Sequence, residues 1–87
     1  MITAATTPGL IYMRNLPPNA TAADVANFFI GYSDVSQDTV QIQRGANGQP
    51  TGEALVTVGT RIEAERAVIE KNRHQLGQRP VELFICN

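Results

Sequence analysis

Four short stretches of this chain alternate apolar and polar residues, two longer ones repeat apolar residues at helical spacing, and their order admits few folds. Leu10 to Asn15 alternates Ile11 and Met13 with Tyr12 and Arg14, and Pro17-Pro18 stops it. Ala22 to Phe29 reads as a helix. Thr21 is its N-cap, Asp24 stands at N3 in a capping-box-like position, and Val25, Phe28 and Phe29 point to a core. After a polar loop, Val40-Gln41-Ile42-Gln43 makes a strand, and the Gly/Pro-rich loop around Asn47-Gly48 leads into Glu53 to Val58. Arg61 to Asn72 reads as a second helix with Thr60 as N-cap and Glu63 at N3, a cleaner capping box, with Ile62, Ala67, Val68 and Ile69 facing inward. Beyond Gly77, Val81, Leu83 and Ile85 form the apolar side of a last strand.

The order is βαββαβ. Helices with one apolar stripe and strands with one apolar face imply an α+β, ferredoxin-like plait: a four-stranded antiparallel sheet packed on two helices, its second face open. With 87 residues, 43% of them hydrophobic, one core fits and a second does not. Met1 to Gly9, small and polar, reads as a flexible tail or linker, which leaves residues 10–87 as a single domain. One cysteine, Cys86, excludes an internal disulfide and a Cys-rich metal site. No apolar run approaches the ~18 residues of a membrane span. Seven Lys/Arg against eight Asp/Glu leave a net charge of -1, so any attraction to phosphate is local.

The open face is where function is expected. If Ile11 and Met13 face the helices, alternation puts Tyr12, Arg14, Gln41, Gln43, Glu53, Leu55, Thr57, Glu82, Phe84 and Cys86 on the other side. Tyr12 and Phe84 offer rings on which bases could stack, Arg14 a cation and the glutamines hydrogen-bonding groups. Glu53 and Glu82 oppose phosphate. The competing reading is a docking patch for a protein partner. Charges on the second helix mark a solvated face, and His74 has no second ligand or nucleophile beside it.

Ile11-Tyr12-Met13-Arg14-Asn15-Leu16, with the Gly-led strand Gly52-Glu53-Ala54-Leu55-Val56, resembles the paired signature of RNA recognition motifs (RRMs), although the second half lacks its aromatics. Met13 to Pro17, Asn27-Phe28-Phe29, Gly48 to Ala54 and Gly77 to Phe84 resemble the quasi-RRM subtype of heterogeneous nuclear ribonucleoproteins H and F and the epithelial splicing regulatory proteins. The resemblance implies a domain that binds single-stranded RNA, G-rich or GU-rich, in nuclear pre-mRNA splicing and mRNA processing. It would do so without cofactor, metal or catalysis, alongside other splicing proteins, and as a monomer in isolation. In that subtype loops at one sheet edge grip the RNA. Arg14 and Arg79 match this pattern, whereas Pro18, Gln49 and Pro80 stand where a loop aromatic, a basic residue and a second aromatic would be. Tyr12 and Asn15 are nearer an ordinary RRM. The expected RNA contacts are Tyr12, Arg14, Arg44, Gln49, Leu55, Arg79 and Phe84. The alternative is a protein-interaction RRM that binds little or no RNA, and an enzyme of the acylphosphatase kind on the same plait is the remotest reading.

Overall fold

The computed structural model describes residues 7–86. In chain order it contains β1 (Gly9–Arg14), α1 (Ala22–Phe28), a 3-10 turn (Gln37–Thr39), β2 (Val40–Arg44), β3 (Pro50–Val58), α2 (Arg61–Lys71), β4 (Gln75–Leu76), β5 (Arg79–Pro80) and β6 (Glu82–Cys86). The main sheet is antiparallel with strand order β2-β3-β1-β6, and β4 and β5 form a separate two-stranded ribbon. This is the βαββαβ plait expected from the residue pattern, with one small hairpin inserted before the last strand.

Register decides what each face carries. β1 is paired on both sides: Tyr12 lies between Leu55 and Phe84, and Ile11 between Val56 and Ile85. Ile11, Met13, Ala54, Val56, Val58 and Leu83 are buried beneath the helices with Val25 and Phe29. Thr21 and Asp24 make a complete capping box at the start of α1: the Thr21 hydroxyl accepts from the Asp24 amide at 3.1 Å, and the Asp24 carboxylate from the Thr21 amide at 3.0 Å.

The second helix departs from expectation in two ways. Ile62 and Ile69 point to solvent, 55% and 81% exposed, and the buried positions are Ala64 and Ala67, with Val68 partly buried. The cause lies in β1, where a Cβ on Gly9 would overlap the Ala64 side chain and stand 2.9 Å from the Arg61 Cα. Helix and strand meet too closely for a large side chain, so the two isoleucines, on the far side of the helix from Ala64, are turned outward. The capping box expected here is one-sided. Thr60 accepts from the Glu63 amide at 3.1 Å, but the Glu63 carboxylate reaches across to Ser33, taking its amide at 3.0 Å and its hydroxyl. Those bonds, the hydroxyl first, hold the Glu63 carboxyl below its ordinary pKa.

Smaller differences follow from local pairing. β1 starts at Gly9, one residue early, and the Thr7 carbonyl accepts from the Arg61 amide at 2.7 Å; the first six residues of the expected tail lie outside the described residues. β3 starts at Pro50, because Arg44 pairs with Pro50 beyond a bulge. Phe28 is half-buried, edge-on to Phe29 at 5.2 Å, with the Lys71 ammonium 5.4 Å above its ring.

Gly9→Ala is expected to lower stability in urea unfolding by about 1–3 kcal/mol through overpacking against α2. Ile69→Ala, which removes only exposed surface, should stay within about 0.5 kcal/mol. Equal losses would show that the close approach of β1 and α2 is not what orients the helix.

Candidate nucleic-acid interface

The open sheet face has an apolar centre and a charged end. Tyr12 and Phe84 are opposite each other in register, with ring centroids 6.0 Å apart and planes inclined at 34°. They do not stack face to face on each other, and Phe84 is 44% exposed, so both rings can meet a flat ligand. Leu55 lies beside Tyr12 on the other flank. Leu10, 36% exposed, extends the patch; it was not among the expected outward residues, although its two-residue spacing from Tyr12 was the signal.

Charge enters at the C-terminal end of β1. The Arg14 guanidinium lies 3.9 Å from the Glu82 carboxylate, an exposed pair of little energetic consequence. Burial, followed by Glu53 as hydrogen-bond partner and negative charge, raises the Tyr12 hydroxyl above the ordinary phenol pKa. Glu53 therefore lies beside the ring's polar tip.

Chain geometry brings the distant Arg79 to this end. Asn15 sits at φ 67, and the Leu16 amide donates to the Gly52 carbonyl at 2.9 Å, which ties the exit of β1 to the start of β3. The Asn15 side-chain amide donates to the Pro80 carbonyl at 3.0 Å and so docks the β4–β5 hairpin against β1. The outcome is a groove of about 490 Å³ lined by Arg14, Asn15, Thr51, Gly52, Glu53, Arg79 and Glu82. A larger cleft of about 840 Å³, between the β1–α1 loop, α1 and the same hairpin, also includes Arg79.

The expected residues thus divide into two groups. Tyr12, Leu55 and Phe84 share the sheet face, and Arg14 and Arg79 share the groove at its end. Arg44 and Gln49 line neither cleft and are engaged inside their own loop: the Arg44 guanidinium donates to the Gly48 carbonyl at 3.1 Å, and the Gln49 carbonyl accepts from the Gly45 amide at 2.9 Å. Asn15 was expected as a motif residue but not as the hairpin's anchor; a side-chain bond spanning 65 positions leaves no local signal. Among the described residues no three His, Cys, Asp or Glu side chains converge as a metal site.

Comparisons with known proteins agree with this fold. A family model described as RRM domain matches residues 11–87. Heterogeneous nuclear ribonucleoprotein F of Bos taurus is 40% identical over 81 residues, 93% of this chain and 19% of that protein. The crystal structure of the Glorund qRRM2 domain superposes with a TM-score of 0.82 at 27% identity, covering 93% of this chain and 91% of that one. G-rich RNA sequence binding factor 1 from Homo sapiens gives a TM-score of 0.82 at 28% identity, covering 92% of this chain and 81% of that one. The chain spans only 8% to 19% of the length of the curated relatives it matches.

In a Tyr32→Phe background, which leaves Tyr12 as the one tyrosine, ultraviolet titration should show the phenol ionising above its ordinary pKa of about 10. Glu53→Gln removes the negative charge and should bring the transition down. An unchanged transition would separate Glu53 from Tyr12.

Proposed function

The chain belongs to the RRM domain family in its quasi-RRM form, a binding module and not an enzyme, and from that premise we propose that it binds single-stranded, G-rich RNA. The reading places it in pre-mRNA splicing or mRNA processing in the nucleus, with weak to moderate affinity for the isolated domain. The observation that carries it is the convergence of Arg14 and Arg79, 65 positions apart in the chain, on one groove at the end of the sheet face that carries Tyr12.

The groove's chemistry suits guanine. O6 and N7 are paired acceptors for a guanidinium, and the Watson–Crick edge offers N1–H and N2–H donors that a carboxylate accepts. Arg14 and Arg79 supply the first kind of partner, Glu53 and Glu82 the second. The same carboxylates repel phosphate, which places the RNA backbone along the outer rim and its bases inward. Tyr12 receives the next base on its face, and Phe84 extends the stacking surface. Arg44 and Gln49 belong to the same reading as contacts of a strand that continues past the β2–β3 loop, and Leu55 as apolar floor beside Tyr12.

With two cations in the groove and Arg44 at the loop, binding should depend weakly on salt. Each phosphate contact adds about 0.7 to the slope of log K against log salt for a single strand, so the slope should be no steeper than roughly -2.

Amide NMR titration with a short G-rich RNA should shift Tyr12, Arg14 and Arg79 together. Tyr12→Ala should cost roughly 1–3 kcal/mol of binding. Arg14→Gln and Arg79→Gln should each weaken G-rich RNA more than pyrimidine RNA, because a lost guanine contact relaxes specificity at that position. Absence of shifts at all three residues with millimolar RNA would overturn the proposal.

A further inference from the structure

The charged end of the sheet face is a row of three side chains. Arg14 lies directly opposite Glu82 on β6, and Glu53 on β3 stands to its other side, one step beyond the Met13–Ala54 pair. A guanidinium flanked by two carboxylates need not serve both. Arg14 stands 3.9 Å from Glu82, and the other salt bridges among the described residues are Arg61–Glu65 and Arg66–Glu70. Glu53 is thus the groove's carboxylate without a cation paired to it.

A half-buried carboxylate that lacks a cation needs hydrogen-bond donors. The Tyr12 hydroxyl beside it is one, and a carboxylate has about four acceptor positions, so most of them stay open to a ligand. A phosphate cannot fill them, because it brings a second negative charge. A base edge can, if it carries N–H groups. Guanine presents two adjacent donors, N1–H and N2–H, on its Watson–Crick edge, whereas uracil presents only N3–H there. Adenine N1 and cytosine N3 are lone pairs at the corresponding place, and a carboxylate repels them.

We infer that Glu53 is the residue that selects guanine, its carboxylate accepting N1–H and N2–H, while Glu82 is occupied in orienting Arg14. The inference rests on the RNA reading of the groove and divides its two carboxylates between different tasks. Arg14, next to Glu53 in the row, meets O6, the acceptor adjoining N1–H on the same edge. One base edge then spans two neighbouring side chains of opposite charge, donors to acceptor and acceptor to donor. The charged row reads a base because its charges alternate.

The probes are the RNA hexamers UUGGGU, UUIIIU with inosine for guanosine, and UUAAAU. Each is titrated into the 87-residue protein in lithium buffer, which suppresses guanine quartets, and followed by amide NMR. Inosine keeps O6, N7 and N1–H and lacks only the N2 amino group. The wild type should bind UUGGGU roughly tenfold more tightly than UUIIIU, and UUAAAU more weakly still. Glu53→Gln should invert the order of guanine and adenine: an amide presents one acceptor and one donor, which match adenine N6–H and N1 and set a donor against guanine. Glu82→Gln removes the same charge from the same groove and should leave the preference for guanine over inosine in place. An unchanged preference in Glu53→Gln, or an equal loss of it in Glu82→Gln, would overturn the inference. So would equal binding of UUGGGU and UUIIIU by the wild type; with shifts still present at Arg14 and Arg79, that result would spare the proposed function. No binding of any hexamer would remove both.

Discussion

β1 has no free edge. Because β3 and β6 pair with it residue by residue, a slip of one position would drive Tyr12 and Arg14 into the core and expose Ile11 and Met13. The helices enforce the register from the other side, since the contact of Gly9 with Ala64 exists only when β1 starts where it does. Everything at the groove descends from that placement. Arg14 is the last residue of the strand, Asn15 turns through a left-handed conformation, and Leu16 returns to the core while its amide holds Gly52. Asn15 can then reach Pro80, and the hairpin carries Arg79 to Arg14. The groove is an extension of strand register into the β1–α1 loop and the β4–β5 hairpin.

The helix layer is locked by polar contacts at its rim as well as by packing. The Glu63 carboxylate holds the Ser33 amide and hydroxyl, the Ser33 carbonyl accepts from the Gly59 amide at 2.9 Å, and a side chain at residue 59 would collide with Ser33 and Asp34. Tyr32 donates to Glu70 from a ring on which the Arg66 guanidinium rests at 5.1 Å, so the segment after α1 is tied to both ends of α2. These bonds are exposed and individually weak. Their effect is positional: they seat α1, whose Phe28 forms a wall of the larger cleft, against a helix registered by Gly9.

Element order, both N-caps, the core side of every main-sheet strand and, Leu10 excepted, the outward set on the sheet were legible because alternation and helical spacing are local signals. Three things were not. The outward turn of Ile62 and Ile69 depends on a glycine more than fifty positions away, and helical spacing alone favoured the larger side chains over Ala64. The β4–β5 hairpin is made of two-residue strands, too short to carry a period, and showed only as Gly77. The division of the cations followed from backbone geometry: Arg14 and Arg79 line one groove, while Arg44 was drawn into its own loop by the Gly48 carbonyl. Side-chain type announced the face, and chain closure decided which charges share a groove.

That closure gives the domain an unusual electrostatic character for a nucleic-acid module. Its groove sets two arginines beside two glutamates, and the whole chain carries a net charge of -1. Long-range attraction contributes little, so in the proposed mode discrimination would rest on hydrogen-bond matching at one or two bases and on stacking at Tyr12. Under that proposal the site would be selective before it is tight. A short, weak and selective contact gains most from being linked to others, since a tethered domain meets its RNA at an effective concentration set by the linker. Relatives in which the matching segment is 8% to 19% of the chain have ample length for such tethering. The two arginines and two glutamates of the groove are thus compatible with the proposed RNA binding, in which the site reads a base more than it holds a backbone.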